Sequence, residues 1–218
     1  MSKKIKHNWE IPKAKPPKPK IEKKVEMKLY RIFPTLILEM DCSELIDPIV
    51  ALVDKVKWKN EKTNDSTEDK YVLKDHKNLI NKFTSKVNLC LEPLQYQIPL
   101  QMTTSWFTRT PKSDIVNRHK HANCLYSSVF YFHDDTSSIN FLKDDGPMID
   151  VPFKNNDPQV IPYGFAEIPA SKGKLLVFPS SLYHSTKPNN SDKYRYSMAM
   201  NYMPRGYCSN YDSSYFYQ

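Results

Sequence analysis

The chain has 218 residues, of which 39% are hydrophobic, so it can bury one complete core and needs no second domain. It has no run of eighteen apolar residues and no apolar secretory signal at its N-terminus, which argues against a helical membrane span and predicts a cytoplasmic location. Its four cysteines lie far apart without a CxxC pair, which argues against a disulfide framework or a structural zinc site and predicts reduced thiols.

Nearly all of the net charge of +8 lies in the first 28 residues, which hold ten lysines against three glutamates. Segment 1–28 also carries four prolines and few apolar residues, so we predict an extended or disordered arm beside the folded domain. Such an arm can neutralise nucleic-acid phosphates or lie along an acidic protein surface. A solvated tail without function is the alternative, although Trp9 and Ile11 favour an anchor.

The segment after the arm predicts a strand and two helices. Residues 29–40 are rich in apolar and β-branched side chains, which favours a strand. Ser43 can cap a helix over 44–58, and apolar residues at helical spacing predict a second helix over 76–89. The polar stretch 59–70 between the helices is predicted to be a loop.

Strands dominate the rest of the chain. Eight short segments favour them: 100–109, 115–121, 124–132, 138–142, 164–169, 175–178, 182–187 and 194–202. They predict a mainly β (α+β) domain over 29–203, a double-stranded β-helix or cupin-like jelly roll with the two N-terminal helices supporting one outer face. We predict that 143–163 is an insertion over the barrel mouth and that 204–218 is an aromatic tail.

Three histidines of the predicted strands form a candidate metal site. His119 and His121 are two residues apart, so in a strand both imidazoles point to the same face. His184 ends a strand in KGKLLVFPSSLYH, and Arg195 begins the next strand eleven residues later. If these two strands pair, Arg195 lies near His184, where a guanidinium can grip the far carboxylate of a dicarboxylate.

The order of these pieces resembles a known family. The chain contains RIFPTLI at 31–37, SWF at 105–107, HKHAN at 119–123, SSVFYF at 127–132, KGKLLVFPSSLYH at 172–184 and RYSMAMN at 195–201. This series is similar to the iron(II)/2-oxoglutarate-dependent oxygenases, and among them to a subfamily found in bacteria and marine phages.

The resemblance implies a dioxygenase that uses iron(II) and 2-oxoglutarate to hydroxylate an unknown prime substrate. It assigns Arg195 and Ser197 to the far carboxylate of 2-oxoglutarate, and it adds Tyr131 as a further contact to that carboxylate. The expected location is the cytoplasm of a bacterium or of a phage-infected host, or a virion if the chain is a structural component of a phage particle.

Two ligand sets remain open, because most of the family uses two histidines and a carboxylate, whereas position 121 carries no acid. In the first set, His119, His121 and His184 bind the metal. In the second, Asn123 takes the carboxylate position beside His121 and His184. His119, His121 and Asn123 share one strand parity, so spacing alone does not choose between the two sets. We favour the three histidines, since neutral imidazole is a better ligand for iron(II) than a carboxamide oxygen.

Two other functions remain open. A cupin-type metalloenzyme would use three histidines without 2-oxoglutarate, which would leave Arg195 and Ser197 without a role. A phage structural or assembly protein would use the domain as a scaffold and the basic arm to contact neighbouring subunits of the particle. For the enzyme, we predict that Trp106, Arg109 and the insertion over 143–163 form the rim that meets the prime substrate.

Overall fold

The computed structural model describes residues 34–133, 137–143, 164–208 and 215–217. The predictions for the basic arm, and those for all but the first residue of the insertion over 143–163, therefore fall outside the described residues.

Within the described residues the chain forms two α-helices and twelve strands. The helices are α1 (Ile46–Val53), preceded by a 3-10 turn at Ser43–Leu45, and α2 (Lys77–Leu91), followed by a 3-10 turn at Glu92–Leu94. The strands in chain order are β1 (Leu38–Asp41), β2 (Trp58–Glu61), β3 (Asn64–Thr67), β4 (Leu100–Thr110), β5 (Tyr126–Phe130), β6 (Ser138–Leu142), β7 (Phe165–Pro169), β8 (Lys174–Pro179), β9 (Tyr183–Thr186), β10 (Arg195–Pro204), β11 (Gly206–Cys208) and β12 (Tyr215–Tyr217).

Seven strands form one antiparallel sheet in the order β1-β8-β5-β10-β4-β3-β2. Strand β10 lies at the centre, paired with β5 on one side and β4 on the other. Successive side chains of a strand point to opposite faces of the sheet. Met198 and Met200 therefore pack into the core beneath the helices, whereas Arg195 and Ser197 face the other side.

Both helices pack on one face of this sheet and bury a continuous apolar core. Leu79, Phe83 and Val87 recur at helical spacing along α2, and the ring centroid of Phe83 lies 5.3 Å from that of Phe130 on β5. Full burial of an aromatic or aliphatic side chain contributes about 1.5 to 3 kcal/mol, so this layer is a main source of the stability of the domain. The predicted supporting helices are thus present.

Three strands form a second antiparallel sheet, β7-β6-β9, against the other face. Val129, Leu176 and Phe178 of the large sheet pack with Ile139 and Phe141 of β6 in a second core. The predicted mainly β architecture of two facing antiparallel sheets is therefore confirmed. Strand β9 is an edge strand of the small sheet, and it places His184 beside this inter-sheet core.

The prediction of a loop over 59–70 is wrong, because β2 and β3 form a hairpin there. Its side chains are polar and pair with each other: Asn60 donates to Asp65 at 2.9 Å, and Ser66 donates to Glu61 at 2.7 Å. These cross-strand hydrogen bonds replace the apolar alternation by which a strand is normally recognised.

The prediction of a strand over 115–121 is also wrong. Within this segment, the only ladder pairing is an isolated bridge between His119 and His184. The backbone N–H of Val116 donates to the hydroxyl of Thr186 rather than to a carbonyl, which interrupts a regular ladder. The segment lies beside β9 as an extended but irregular stretch.

Several predicted boundaries shift. Ser43 lies in a 3-10 turn rather than capping the helix, which begins at Ile46, and α1 ends at Val53 instead of residue 58. Pro48 lies in the first turn of α1, where its missing N–H costs no hydrogen bond. The strand predicted over 29–40 begins at Leu38 within the described part of the chain. None of the described helices is long and apolar enough to cross a membrane.

Candidate metal centre

Three imidazoles converge beside the inter-sheet core. One ring nitrogen of each of His119, His121 and His184 lies within 4.8 Å of the others. The ring centroids of His119 and His184 are 4.2 Å apart, and His121 lies 5.0 and 5.1 Å from them. Three nitrogen donors at this spacing can coordinate one transition-metal ion.

Backbone hydrogen bonds hold the three histidines together although they come from distant parts of the chain. The N–H of His119 donates to the carbonyl of His184 at 3.0 Å, and the N–H of His184 donates back at 2.9 Å. The N–H of His121 donates to the carbonyl of Ser180 at 2.9 Å. The HKH segment is thus aligned along β9 and the turn before it, and this alignment brings its two imidazoles to His184.

Two of the rings have their tautomer fixed. The Nδ1 atom of His119 lies 2.7 Å from the carbonyl oxygen of Asn117, and Nδ1 of His184 lies 3.0 Å from that of Leu182. A carbonyl only accepts hydrogen bonds, so Nδ1 carries the hydrogen in both neutral rings. The lone pair of Nε2 is then available to a metal, which is the usual role of such a supporting bond.

Burial favours the neutral form that metals require in two of the three histidines, His121 and His184. The pKa of His184 is lowered to about 3, chiefly by burial and also by the neighbouring His119 and His121, against a hydrogen bond to the Leu182 carbonyl that raises it. Burial likewise lowers the pKa of His121 to about 4, with His119 as the second cause. Protons therefore compete little for these nitrogens near neutral pH.

The metal-free protein should lose stability as the pH falls below 6.5, the ordinary pKa of histidine. The unfolded chain takes up protons at that pH, whereas the folded state keeps His121 and His184 neutral down to their lowered pKa values. Each group then costs up to about 1.4 kcal/mol of unfolding free energy per pH unit. The effect is measured by urea unfolding with a chelator present, between about pH 7.5 and 5. In His184→Gln the dependence should be shallower, and parallel curves would contradict this account.

Asn123 does not keep the strand geometry that its assignment as a ligand assumed. It is exposed, and its φ of 57° lies in the left-handed region, so the chain bends between His121 and β5. Residues 121 and 123 therefore no longer share a face by simple alternation. This geometry favours the three histidines over the set that includes Asn123.

Arg195 begins β10, and its side chain is buried. Its Nη1 donates to Ser137 Oγ at 3.0 Å and to the Lys187 carbonyl at 2.9 Å. Its Nη2 donates to Thr186 Oγ1 at 2.5 Å and, over 3.4 Å, to Thr110 Oγ1. Through Thr186 the guanidinium touches the strand that carries His184.

The strand pairing around Arg195 differs from the predicted pairing. Strand β9 pairs with β6 in the small sheet, whereas β10 pairs with β4 and β5 in the large sheet. The predicted pairing of the His184 and Arg195 strands is therefore wrong. Arg195 reaches β9 because its side chain extends from the large sheet to Thr186 of the small one.

Ser197 and Tyr131 both lie on the side of the large sheet that faces the small one. Ser197 shares the face of Arg195 and stands opposite Thr108 on β4. Tyr131 follows β5 and is buried in the inter-sheet core with Val129 and Phe141. Both positions adjoin the space between the sheets, where the co-substrate is expected.

Trp106 and Arg109 lie on opposite faces of β4, as a spacing of three residues in a strand requires. The Trp106 ring packs edge-on against His121, with centroids 5.5 Å apart. Arg109 instead ion-pairs with Asp65 at 2.7 Å and stacks on Trp58 on the face of the sheet that carries the helices. The prediction that Arg109 belongs to the substrate rim is thus wrong.

Two neighbours of the site were not predicted. Lys70 Nζ lies 5.9 Å from the Trp106 ring centroid and donates to Ser66 at 2.6 Å. Burial lowers its pKa, although Glu61 acts in the opposite direction. Thr186 was missed as well, although its position two residues after His184 predicts a shared face. No comparable signal marks Lys70, which reaches the site only through the unpredicted hairpin.

A comparison with known protein families also finds a similarity to oxygenases. Residues 104–201 match the sequence model of a family described as "Putative 2OG-Fe(II) oxygenase". This range contains all three histidines, Tyr131, Arg195 and Ser197. A search of curated protein sequences found no match.

Solved structures of oxygenases share the fold. An oxidoreductase of the 2OG-Fe(II) oxygenase family from Burkholderia pseudomallei is 12% identical, with a TM-score of 0.58 over 77% of this chain and 83% of that one. HygX from Streptomyces hygroscopicus, with nickel, 2-oxoglutarate and hygromycin B bound, is 13% identical, with a TM-score of 0.53 over 78% and 83%. The 2-oxoglutarate-dependent epimerase SnoN of nogalamycin biosynthesis is 12% identical, with a TM-score of 0.57 over 78% and 76%.

Two facing antiparallel sheets with three converging imidazoles define a metal-binding jelly roll. The match over 104–201 makes this part of the chain similar to the 2OG-Fe(II) oxygenase family.

Proposed function

We propose that this protein is an iron(II)- and 2-oxoglutarate-dependent dioxygenase that hydroxylates a prime substrate. The observation that carries the proposal is the joint placement of a three-nitrogen metal site and a buried guanidinium. The ring nitrogens of His119, His121 and His184 lie within 4.8 Å of each other, and Arg195 bonds to Thr186, two residues beyond His184.

The three histidines fit iron(II). Neutral imidazole suits this ion, and burial keeps His121 and His184 neutral. The carbonyls of Asn117 and Leu182 orient two of the rings from behind, as supporting groups do in metal sites. When bound, the metal supplies the redox chemistry that couples 2-oxoglutarate decarboxylation to oxidation of the prime substrate.

The chain itself would hold and orient the co-substrate. We assign the far carboxylate of 2-oxoglutarate to Arg195 and Ser197, which share one face of β10, with Tyr131 as a further contact. A planar guanidinium suits a carboxylate because two parallel N–H groups can bind its two oxygens. The apolar inter-sheet core beside this space, formed by residues such as Phe141 and Phe178, excludes bulk water from one side.

Hydroxylation is the outcome that we propose among those that this fold supports. SnoN is described as an epimerase, so the fold alone does not select the reaction. At the mouth of the site, Trp106 packs on His121, and Lys70 lies over the Trp106 ring. We propose that this pair contacts the prime substrate, because it is the part-exposed aromatic and charged surface next to a ligand histidine.

The test is metal-dependent turnover of 2-oxoglutarate. Purified protein is incubated with iron(II), ascorbate, dioxygen and 2-oxoglutarate, and succinate is quantified with and without panels of amino acids, nucleosides, sugars and small metabolites. We expect slow succinate formation that needs iron, and faster formation with the correct substrate class. Absence of both metal-dependent 2-oxoglutarate binding and succinate formation would contradict the proposal.

The all-histidine set also favours one alternative, a cupin-type metalloenzyme that does not use 2-oxoglutarate. The two functions differ in a binding measurement. The metal-loaded alternative would show no affinity for 2-oxoglutarate, and replacement of Arg195 would then change no ligand binding.

The basic arm remains a separate question. Its excess of lysine suits nucleic-acid phosphates, an acidic protein surface or neighbouring subunits of a phage particle. These partners stay predictions from the sequence.

A further inference from the structure

Thr186 lies at the meeting point of three parts of the site. It is the last residue of β9 and is two residues beyond His184, so the two side chains share a face of the strand. Its hydroxyl oxygen accepts from the backbone N–H of Val116 at 2.8 Å. The same oxygen accepts from Nη2 of Arg195 at 2.5 Å.

The hydrogen bonds that this hydroxyl already makes limit which further hydrogen bonds it can form. A threonine hydroxyl has two acceptor lone pairs and one donor hydrogen. Val116 and Arg195 occupy both lone pairs, and both of these partners are N–H groups that can only donate. Among the described residues, no acceptor is found for the hydroxyl hydrogen. Thr186 is therefore available only as a donor, right beside a guanidinium.

A donor hydrogen next to a guanidinium suits an anion. Nη2 of Arg195 reaches Thr110 only over 3.4 Å, a weak contact that an incoming carboxylate oxygen can replace. A carboxylate bound against Nη2 would lie close to the hydroxyl that Nη2 itself contacts. Hydrogen bonds to charged groups are about twice as strong as those between neutral groups.

We propose that Thr186 is a co-substrate-binding residue that donates its hydroxyl hydrogen to the far carboxylate of 2-oxoglutarate, next to Arg195. This inference rests on the proposed function, since it needs 2-oxoglutarate as the bound dicarboxylate. It gives the strand that carries His184 a direct contact with the other end of the co-substrate.

Binding of two matched 2-oxo acids tests this assignment. 2-Oxoglutarate and 2-oxovalerate have the same five-carbon chain, but only the former has a far carboxylate. Each is titrated anaerobically into full-length protein loaded with iron(II) or cobalt(II), and binding is followed by calorimetry and by the visible absorption of the metal. Thr186→Val should weaken 2-oxoglutarate binding about tenfold or more. 2-Oxovalerate binding should stay as in the wild type.

Two further variants separate donation from mere support of Arg195. Thr186→Ser keeps the hydroxyl and should restore most of the 2-oxoglutarate affinity. Ser137→Ala removes a different hydroxyl that accepts from Arg195, at 3.0 Å, and should cause a clearly smaller loss than Thr186→Val. Equal losses in the valine and alanine variants would show that Thr186 acts only through the guanidinium, and would overturn the proposal.

The remaining outcomes distinguish failure of the role of Thr186 from failure of the proposed function. Unchanged 2-oxoglutarate binding in Thr186→Val overturns the role of Thr186 and leaves the proposed function intact. A parallel loss of 2-oxovalerate binding overturns it too, since it would show damage at the metal end. If wild-type metal-loaded protein binds no 2-oxoglutarate, the proposed function itself fails.

Discussion

His184→Ala protein will lose stoichiometric metal binding. The substitution removes one of three converging nitrogen donors, and this donor is buried, with its tautomer set by the Leu182 carbonyl. Removing only a supporting partner of a metal ligand typically costs 10- to 100-fold in affinity, so loss of the ligand itself should cost on the order of 100-fold or more. Elemental analysis and calorimetric titration with iron(II) or cobalt(II) measure the effect.

The matched control for this variant is His76→Ala. His76 is part-exposed at the start of α2 and lies outside the converging group, so its replacement should leave one equivalent of metal bound. Far-ultraviolet circular dichroism establishes that both variants fold. A full equivalent of tightly bound metal in His184→Ala would show that the three histidines are not the ligand set.

Arg195→Met protein will bind 2-oxoglutarate far more weakly while keeping its metal. Truncating one partner of a buried, hydrogen-bonded charge pair costs roughly 2 to 5 kcal/mol, which corresponds to about 30-fold or more in affinity. The metal content should hardly change, because no histidine of the site hydrogen-bonds to Arg195 among the contacts described. Calorimetric titration of metal-loaded protein with 2-oxoglutarate gives the affinity.

Arg195→Lys is the informative companion, since it keeps the charge but loses the forked geometry. It should fall between the wild type and the methionine variant. Arg195 also holds Ser137, Thr186 and the Lys187 carbonyl, so thermal unfolding is recorded for each variant. Equal affinity for 2-oxoglutarate in all three proteins would contradict the role of Arg195, and absence of binding in all three would favour the cupin-type alternative.

Much of the fold could be predicted because its signals are local. Helix α2 shows apolar residues at a period near 3.6, and β10 alternates between the helix-side core and the inter-sheet space, as with Met198 and Ser197. Strand β6 was predicted with its observed limits, Ser138–Leu142. Period and alternation are properties of neighbouring residues, so they are readable without knowledge of the partners.

Other parts depended on contacts that no local pattern carries. The β2–β3 hairpin is held by paired polar side chains, such as Ser66 with Glu61, and these resemble a loop composition. The segment over 115–121 was predicted as a strand, yet the hydroxyl of Thr186 accepts from the backbone N–H of Val116 there and interrupts the ladder. Pairing partners are a long-range choice, which a strand pattern leaves open.

The candidate site could also be predicted only in part. The convergence of His119, His121 and His184 was predicted from the order of the motifs. The two backbone hydrogen bonds between His119 and His184 explain how it arises. Arg195 was expected beside His184 through strand pairing, whereas its side chain extends from the large sheet to Thr186 of the small one. Trp106 and Arg109 were grouped together although the parity of β4 separates them.

The contact between Trp106 and His121 makes the fluorescence of Trp106 sensitive to metal binding at this site. The chain has three tryptophans, Trp9 in the arm, Trp58 against Arg109, and Trp106 with its ring 5.5 Å from that of His121, a proposed ligand. An open-shell ion such as iron(II) or cobalt(II), held by His121, lies close enough to quench the indole emission of Trp106, whereas Trp58 stands on the opposite face of the sheet. Metal loading and release can therefore be followed in the unlabelled protein by its own fluorescence.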